Sequence, residues 1–181
     1  DAQGTLYSKK INLDRTRESF IGDGNVRMIT RGSSGKPVVI QGNHVEGQWG
    51  GQNARLDYTG KVQMYPPDGS KIQADRLTVF PNEKRFDADG NVRSDASQQR
   101  VITARKLEFS DSGDLQRAHY TGDVSVSVYF DAPKTAAQKT QKSGLLELKA
   151  RDLDVHSRNG DLDRILANGG VLAEEFTAPS A

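Results

Sequence analysis

A two-part motif recurs five times along the 181 residues, and it limits what the chain can fold into more than any other feature. Its clearest copy is residues 72–92, IQADRLTVFPNEKRFDADGNV. The first half runs apolar, any, small, two polar residues, then apolar, any, apolar. It occurs as Leu6-x-Ser8-Lys9-Lys10-Ile11-x-Leu13, Ile40-x-Gly42-Asn43-His44-Val45, Ile72-x-Ala74-Asp75-Arg76-Leu77-x-Val79, Ile102-x-Ala104-Arg105-Lys106-Leu107-x-Phe109 and Leu148-x-Ala150-Arg151-Asp152-Leu153-x-Val155. The second half ends in Gly-x-Val. It occurs as Phe20-x-Gly22-x-Gly24-x-Val26, Leu56-x-Tyr58-x-Gly60-x-Val62, Phe86-x-Ala88-x-Gly90-x-Val92, Ala118-x-Tyr120-x-Gly122-x-Val124 and Ile165-x-Ala167-x-Gly169-x-Val171. From the small residue to the glycine the spacing is 16, 18, 16, 18 and 19 residues, so the halves stay in step throughout. A repeat of this length specifies one supersecondary unit used several times.

Alternation with period two predicts half-buried strands, and no window sustains the i, i+3, i+4 spacing of a helix. Within each first half the period slips by one residue at the polar pair. An extra residue there, as a β-bulge, keeps both flanking apolar positions inward and bends the strand. The glycine of the second half falls on the inward parity, where it marks a tight bend or a close backbone approach. Turn sequences such as Pro81-Asn82, Asp111-Ser112-Gly113 and Arg158-Asn159-Gly160 join the halves, and Pro66-Pro67-Asp68-Gly69 and Arg31-Gly32-Ser33-Ser34-Gly35 join successive units. These links suit antiparallel hairpins and are too short for parallel crossovers. The expectation is an all-β domain over residues 1–176, with about ten or more strands from five two-strand repeats. A closed barrel, a sandwich and a curved open sheet all fit. A parallel solenoid fits the period but not strands this long. Residues 131–144, DAPKTAAQKTQKSG, read as a mobile loop, and 177–181 as a frayed tail.

One parity of the strands forms an apolar column: Val62, Met64, Leu77, Val79, Phe86, Val92, Leu107, Phe109, Tyr120, Val124, Val126 and Val128. On the residues alone this is either an ordinary packed core or the lining of an apolar ligand site. Tyr129 takes the outward parity, and Trp49 lies on a Gly-flanked hairpin tip, at the rim of a site or capping the sheet. The chemistry of the chain is otherwise sparse. There is no cysteine, which excludes disulfides, zinc–thiolate sites and thiol nucleophiles. Lys and Arg total 25 and Asp and Glu 24, interspersed, so no basic face for nucleic acid is indicated. His44, His119 and His156 fall in different units without metal-ligand spacing and read as surface or turn residues. Asp87-x-Asp89-Gly90-Asn91 lacks the sixth-position glycine and twelfth-position glutamate of a calcium loop. No catalytic constellation is visible, so no enzyme, cofactor or metal is expected. Basic pairs at Lys9-Lys10, Lys84-Arg85 and Arg105-Lys106 are candidate contacts for head-group phosphates, or simply a solvated face. No run approaches ~20 apolar residues. The start at Asp1, without Met or an apolar leader, suggests a removed signal peptide or a segment of a longer protein.

The repeat resembles the OstA-like family of lipopolysaccharide-transport proteins. The residues that carry the likeness are Ile72–Val79 with Asp87–Val92, Ile102–Phe109 with Tyr120–Val126, and Gly24-Asn25-Val26. Gly35-Lys36-Pro37 followed by Val45-Glu46-Gly47 resembles a stretch of that family's periplasmic bridge protein. The resemblance spans about residues 5–175. It implies a twisted antiparallel β-jelly-roll, open along one side, and a periplasmic location after export. It implies that the apolar column takes lipopolysaccharide acyl chains, and that copies or other transport components join end to end through edge strands. Two features depart from the family pattern: the longer loop at 131–144 and a poorer last copy at 165–173. Two rival readings are a structural adaptor with a closed core and a carbohydrate-binding β-sandwich.

Overall fold

Twelve strands account for nearly all of the residues that the computed structural model describes, namely 4–31, 35–50, 53–96, 100–113, 115–130, 144–158 and 161–177. In chain order they are β1 (Thr5–Tyr7), β2 (Lys10–Asp14), β3 (Ser19–Arg31), β4 (Pro37–Gln48), β5 (Arg55–Tyr65), β6 (Lys71–Phe80), β7 (Arg85–Ala96), β8 (Arg100–Asp111), β9 (Leu115–Phe130), β10 (Gly144–Arg158), β11 (Asp161–Asn168) and β12 (Leu172–Thr177). A short 3₁₀ turn, Pro81–Glu83, links β6 to β7. The expected loop at 131–144 and tail at 177–181 lie, apart from Gly144 and Thr177, outside the described residues.

All pairings are antiparallel, and the strands follow one another in the order β3 to β10. At one end β1 and β2 both pair with β3, and at the other β11 and β12 both pair with β10. The sheet therefore does not close on itself. Each hairpin repeat contributes two neighbouring strands, as alternation and short turns predict.

A bend crosses every long strand at the same level. Register shifts fall at Asp23/Val26 on β3, Gln41/His44 on β4, Thr59/Val62 on β5, Gln73/Arg76 on β6, Asp89/Val92 on β7, Thr103/Lys106 on β8 and Ala150/Asp152 on β10. Together they form a crease that divides the sheet into two layers. The front layer has β2 and β11 as its edges, and the back layer has β1 and β12. Contacts across the crease show the layers facing each other. The Tyr58 hydroxyl, in the front layer, donates to Met28 Sδ in the back layer, two strands away. Tyr120, at the equivalent repeat position, is hydrogen-bonded to Ser94 in the back layer, also two strands away. Between the layers the apolar side chains form one cluster, with Val45, Tyr58, Leu77, Ala88, Leu107 and Leu153 fully enclosed.

The slip keeps its two flanking positions inward: Ala74 with Leu77, Ala104 with Leu107, and Ala150 with Leu153 are all buried. The extra residue, however, is not at the polar pair. In the pairing of β7 with β8, Gly90 and Asn91 together oppose Arg105 alone, and Gly24-Asn25, Gly60-Lys61 and Gly122-Asp123 behave alike. Both residues of each pair have positive φ, for example +74° and +48° at Gly90 and Asn91. The glycine is also not inward as its parity suggests. A Cβ on Gly90 would meet Asp75, which lies on the outside of the crease. Turning the corner uses two outward residues on one strand and three on its partner, which resets the parity.

Candidate functional site

The inner face is built from rows of side chains in register across the strands. One row of the front layer runs Leu13, Phe20, Gly47, Leu56, Val79, Phe86, Phe109, Ala118, Val155, Ile165. In the back layer a row runs Leu6, Met28, Ile40, Met64, Ile72, Ser94, Ile102, Val126, Leu148. Each row samples every repeat at the same position, so the repeat itself makes the lining continuous.

All twelve positions of the predicted column lie on this inner face. Val62, Met64, Leu77, Phe86, Val92, Leu107, Tyr120, Val124 and Val126 are buried, and Val79, Phe109 and Val128 are half-buried. The half-buried ones lie away from the crease, towards the free lips of the two layers. Phe86 and Phe109 stack there with ring centroids 4.9 Å apart. The interior is therefore dry along the crease and increasingly accessible towards the lips. It is also accessible at both ends. Leu13 on β2 is 65% exposed and Ile165 on β11 is 42% exposed, although both occupy inward positions of the front row. Sequence reasoning left out Phe20, Met28, Val38, Tyr58 and Leu148, which join the same cluster. Their place in the repeat was the available signal.

Trp49 lies at the tip of β4 beside the front row, stacked on Phe20 at 5.8 Å and about half exposed. Tyr129 is exposed on the outer face. The basic pairs are spread over the outer face and the strand tips rather than gathered at a lip. Arg85 bonds Glu83 and Asp87 and lies 3.9 Å from the Phe80 ring centroid, Lys106 bonds Glu108 at 2.6 Å, and Arg105 pairs with Asp123. Two of the histidines, His44 and His119, are strand residues in outer-face ion pairs. His44 lies between Asp23 at 2.5 Å and Glu46 at 3.2 Å, and the hydrogen bond to Asp23 chiefly raises its pKa. His119 and Arg117 both bond Asp154; burial would raise that carboxyl, but its partners outweigh burial and hold it below its ordinary range. Among the described residues no three His, Asp or Glu side chains converge to hold a metal.

This architecture is an open, twisted antiparallel β-jelly-roll with an apolar interior: the all-β hairpin order is what the repeat predicts, and the open jelly-roll is what the family resemblance implies. No family model and no curated protein matches the sequence. Among solved structures the fold is similar to that of LptH, the LptA-homologous periplasmic component of the conserved lipopolysaccharide transport device from Pseudomonas aeruginosa. The TM-score is 0.52 at 15% sequence identity, over 60% of this chain and 76% of that one. At that identity the likeness is one of fold.

Proposed function

We propose that the protein is a non-enzymatic periplasmic carrier in the OstA-like lipopolysaccharide-transport family, taking lipopolysaccharide acyl chains between its two layers. The observation that carries this reading is the pair of inner rows, to which every repeat contributes apolar side chains, enclosed at the crease and accessible at the lips and ends. The likeness of fold to LptH and the five motif copies support it. Acyl chains enter at the lips, past Val79, Phe109 and Val128. Apolar burial at ~25 cal/mol per Å² makes this interior a better environment than water. Similar interiors joined end to end through the edge strands let a chain pass on without returning to water, and edge pairing is the ordinary route of strand addition.

The fully enclosed positions at the crease favour a second reading, an assembly adaptor whose core stays shut. Photo-crosslinking separates the two. A crosslinker at Val79 or Val128 captures lipopolysaccharide in the carrier, and native mass spectrometry detects retained lipid. If those positions stay silent while one at Tyr129 captures protein, the adaptor reading replaces the carrier.

A further inference from the structure

Arg100 places a cation on the apolar inner face. It opens β8 and stands in register between Ala96 on β7 and Val128 on β9. It shares the parity of Ile102 and Ala104, both buried, which places it on the inner face at the free lip of the back layer. Its Nε is buried and has no hydrogen-bond partner among the described residues. Five arginines of the outer face differ in this respect. Arg55 and Arg76 pair with Asp57, Arg85 with Asp87, Arg93 with Asp95 and Arg117 with Asp154. A buried guanidinium donor without an acceptor is costly, so its persistence on an apolar face points to an acceptor brought by a ligand. The polar groups nearest it on the inner face are the hydroxyls of Tyr120 and Ser94, which donate as well as accept. The Tyr120 hydroxyl bonds Ser94 across the crease, and Arg100 lies close enough for its charge to act on that hydroxyl. Ser94 is itself buried in the back row.

We infer that Arg100, with the Tyr120 and Ser94 hydroxyls behind it, forms an internal anion subsite for the phosphate or carboxylate of an amphiphile whose acyl chain lies along the inner rows. The planar guanidinium fork suits either oxyanion, and the low-dielectric surroundings strengthen the pairing. The subsite selects acidic amphiphiles over neutral ones of equal chain length. It rests on the carrier reading, because it needs the layers to admit an acyl chain.

Calorimetric titration of the purified chain with dodecyl phosphate, laurate and dodecyl maltoside tests it. The wild type is expected to prefer the two anionic probes. Arg100→Gln is expected to bind dodecyl phosphate roughly tenfold more weakly, as for a lost charge-assisted hydrogen bond, while dodecyl maltoside binding stays within about twofold. Arg100→Lys keeps the charge without the fork and falls between the two. An equal loss for laurate identifies a general anion site, and a loss confined to dodecyl phosphate identifies a phosphate site. Thermal melting without ligand guards against misfolding, since removing an unpaired buried donor leaves the fold at least as stable. If Arg100→Gln binds all three probes as the wild type does, the subsite is overturned and the carrier reading stands. Equal weakening towards all three by a folded variant overturns it as well. If the wild type binds no probe, both fall together.

Discussion

Gly90 shows what the bend demands of single residues. Its φ of +74° lies in the left-handed region, and a Cβ would stand 2.5 Å from Asp75 Oδ2 and 3.0 Å from Asp75 Cβ. A side chain there is therefore strained by the backbone and must also displace the Asp75 carboxylate. The next position is left-handed too, yet it carries Asn25, Lys61, Asn91 or Asp123. Asn and Asp tolerate that region, and Asn91 also bonds Asp75 at 2.8 Å. Gly113 separates the two demands, since its φ is +92° but nothing lies within 4 Å of its added Cβ. Gly113→Ala should cost about 1 kcal/mol and Gly90→Ala about 2–3 kcal/mol, read from urea unfolding midpoints. Equal costs would mean that the contact with Asp75 contributes nothing. Asp75 itself occupies the first position of the polar pair, so this contact ties the two halves of the repeat together at the corner.

Individual strands are stitched on the outer face by ion pairs, and these give the sheet a pH response. His44 on β4 reaches Asp23 on β3. A histidine whose folded pKa is raised stabilises fully below its unfolded value of about 6.5 and loses that contribution as pH rises through the raised value. The melting-temperature gap between wild type and His44→Gln should therefore be widest near pH ~5.5 and narrow towards pH ~8.5. A gap that does not change with pH would show that the imidazolium plays no part. Such strands and their order are legible in the sequence, because alternation and five copies in step leave few arrangements. The apolar column is legible for the same reason. The placement of the extra residue is not: both halves break parity at the corner, and only the pairing shows that Gly-x, rather than the polar pair, carries it. Arg100 is hidden in a different way. A charge two residues before Ile102 reads as the polar start of a strand, although its parity is that of Ile102.

The molecule as a whole is unfinished at both ends. Among the described residues the outer edges of β2 and β11 have no neighbouring strand, and both belong to the front layer. Leu13 and Ile165 show the same inner row exposed at either end. In the proposed assembly β11 of one copy meets β2 of the next, a head-to-tail contact that does not close on itself. Sedimentation velocity should then show wild type growing with concentration, with Leu13→Asp and Ile165→Asp each remaining monomeric. Mixing the two variants should restore dimers and nothing longer, because each retains one intact edge. If either variant alone sediments like wild type, the ends do not join in this way.

The crease has a geometric consequence. In a closed barrel every added strand widens the circumference. Here each hairpin is folded over at the same level, so another hairpin lengthens the molecule by roughly 10 Å and leaves its bore untouched. Span and calibre are thus independent quantities. Gene duplication of a single hairpin can set how far such a protein reaches without altering what fits inside it.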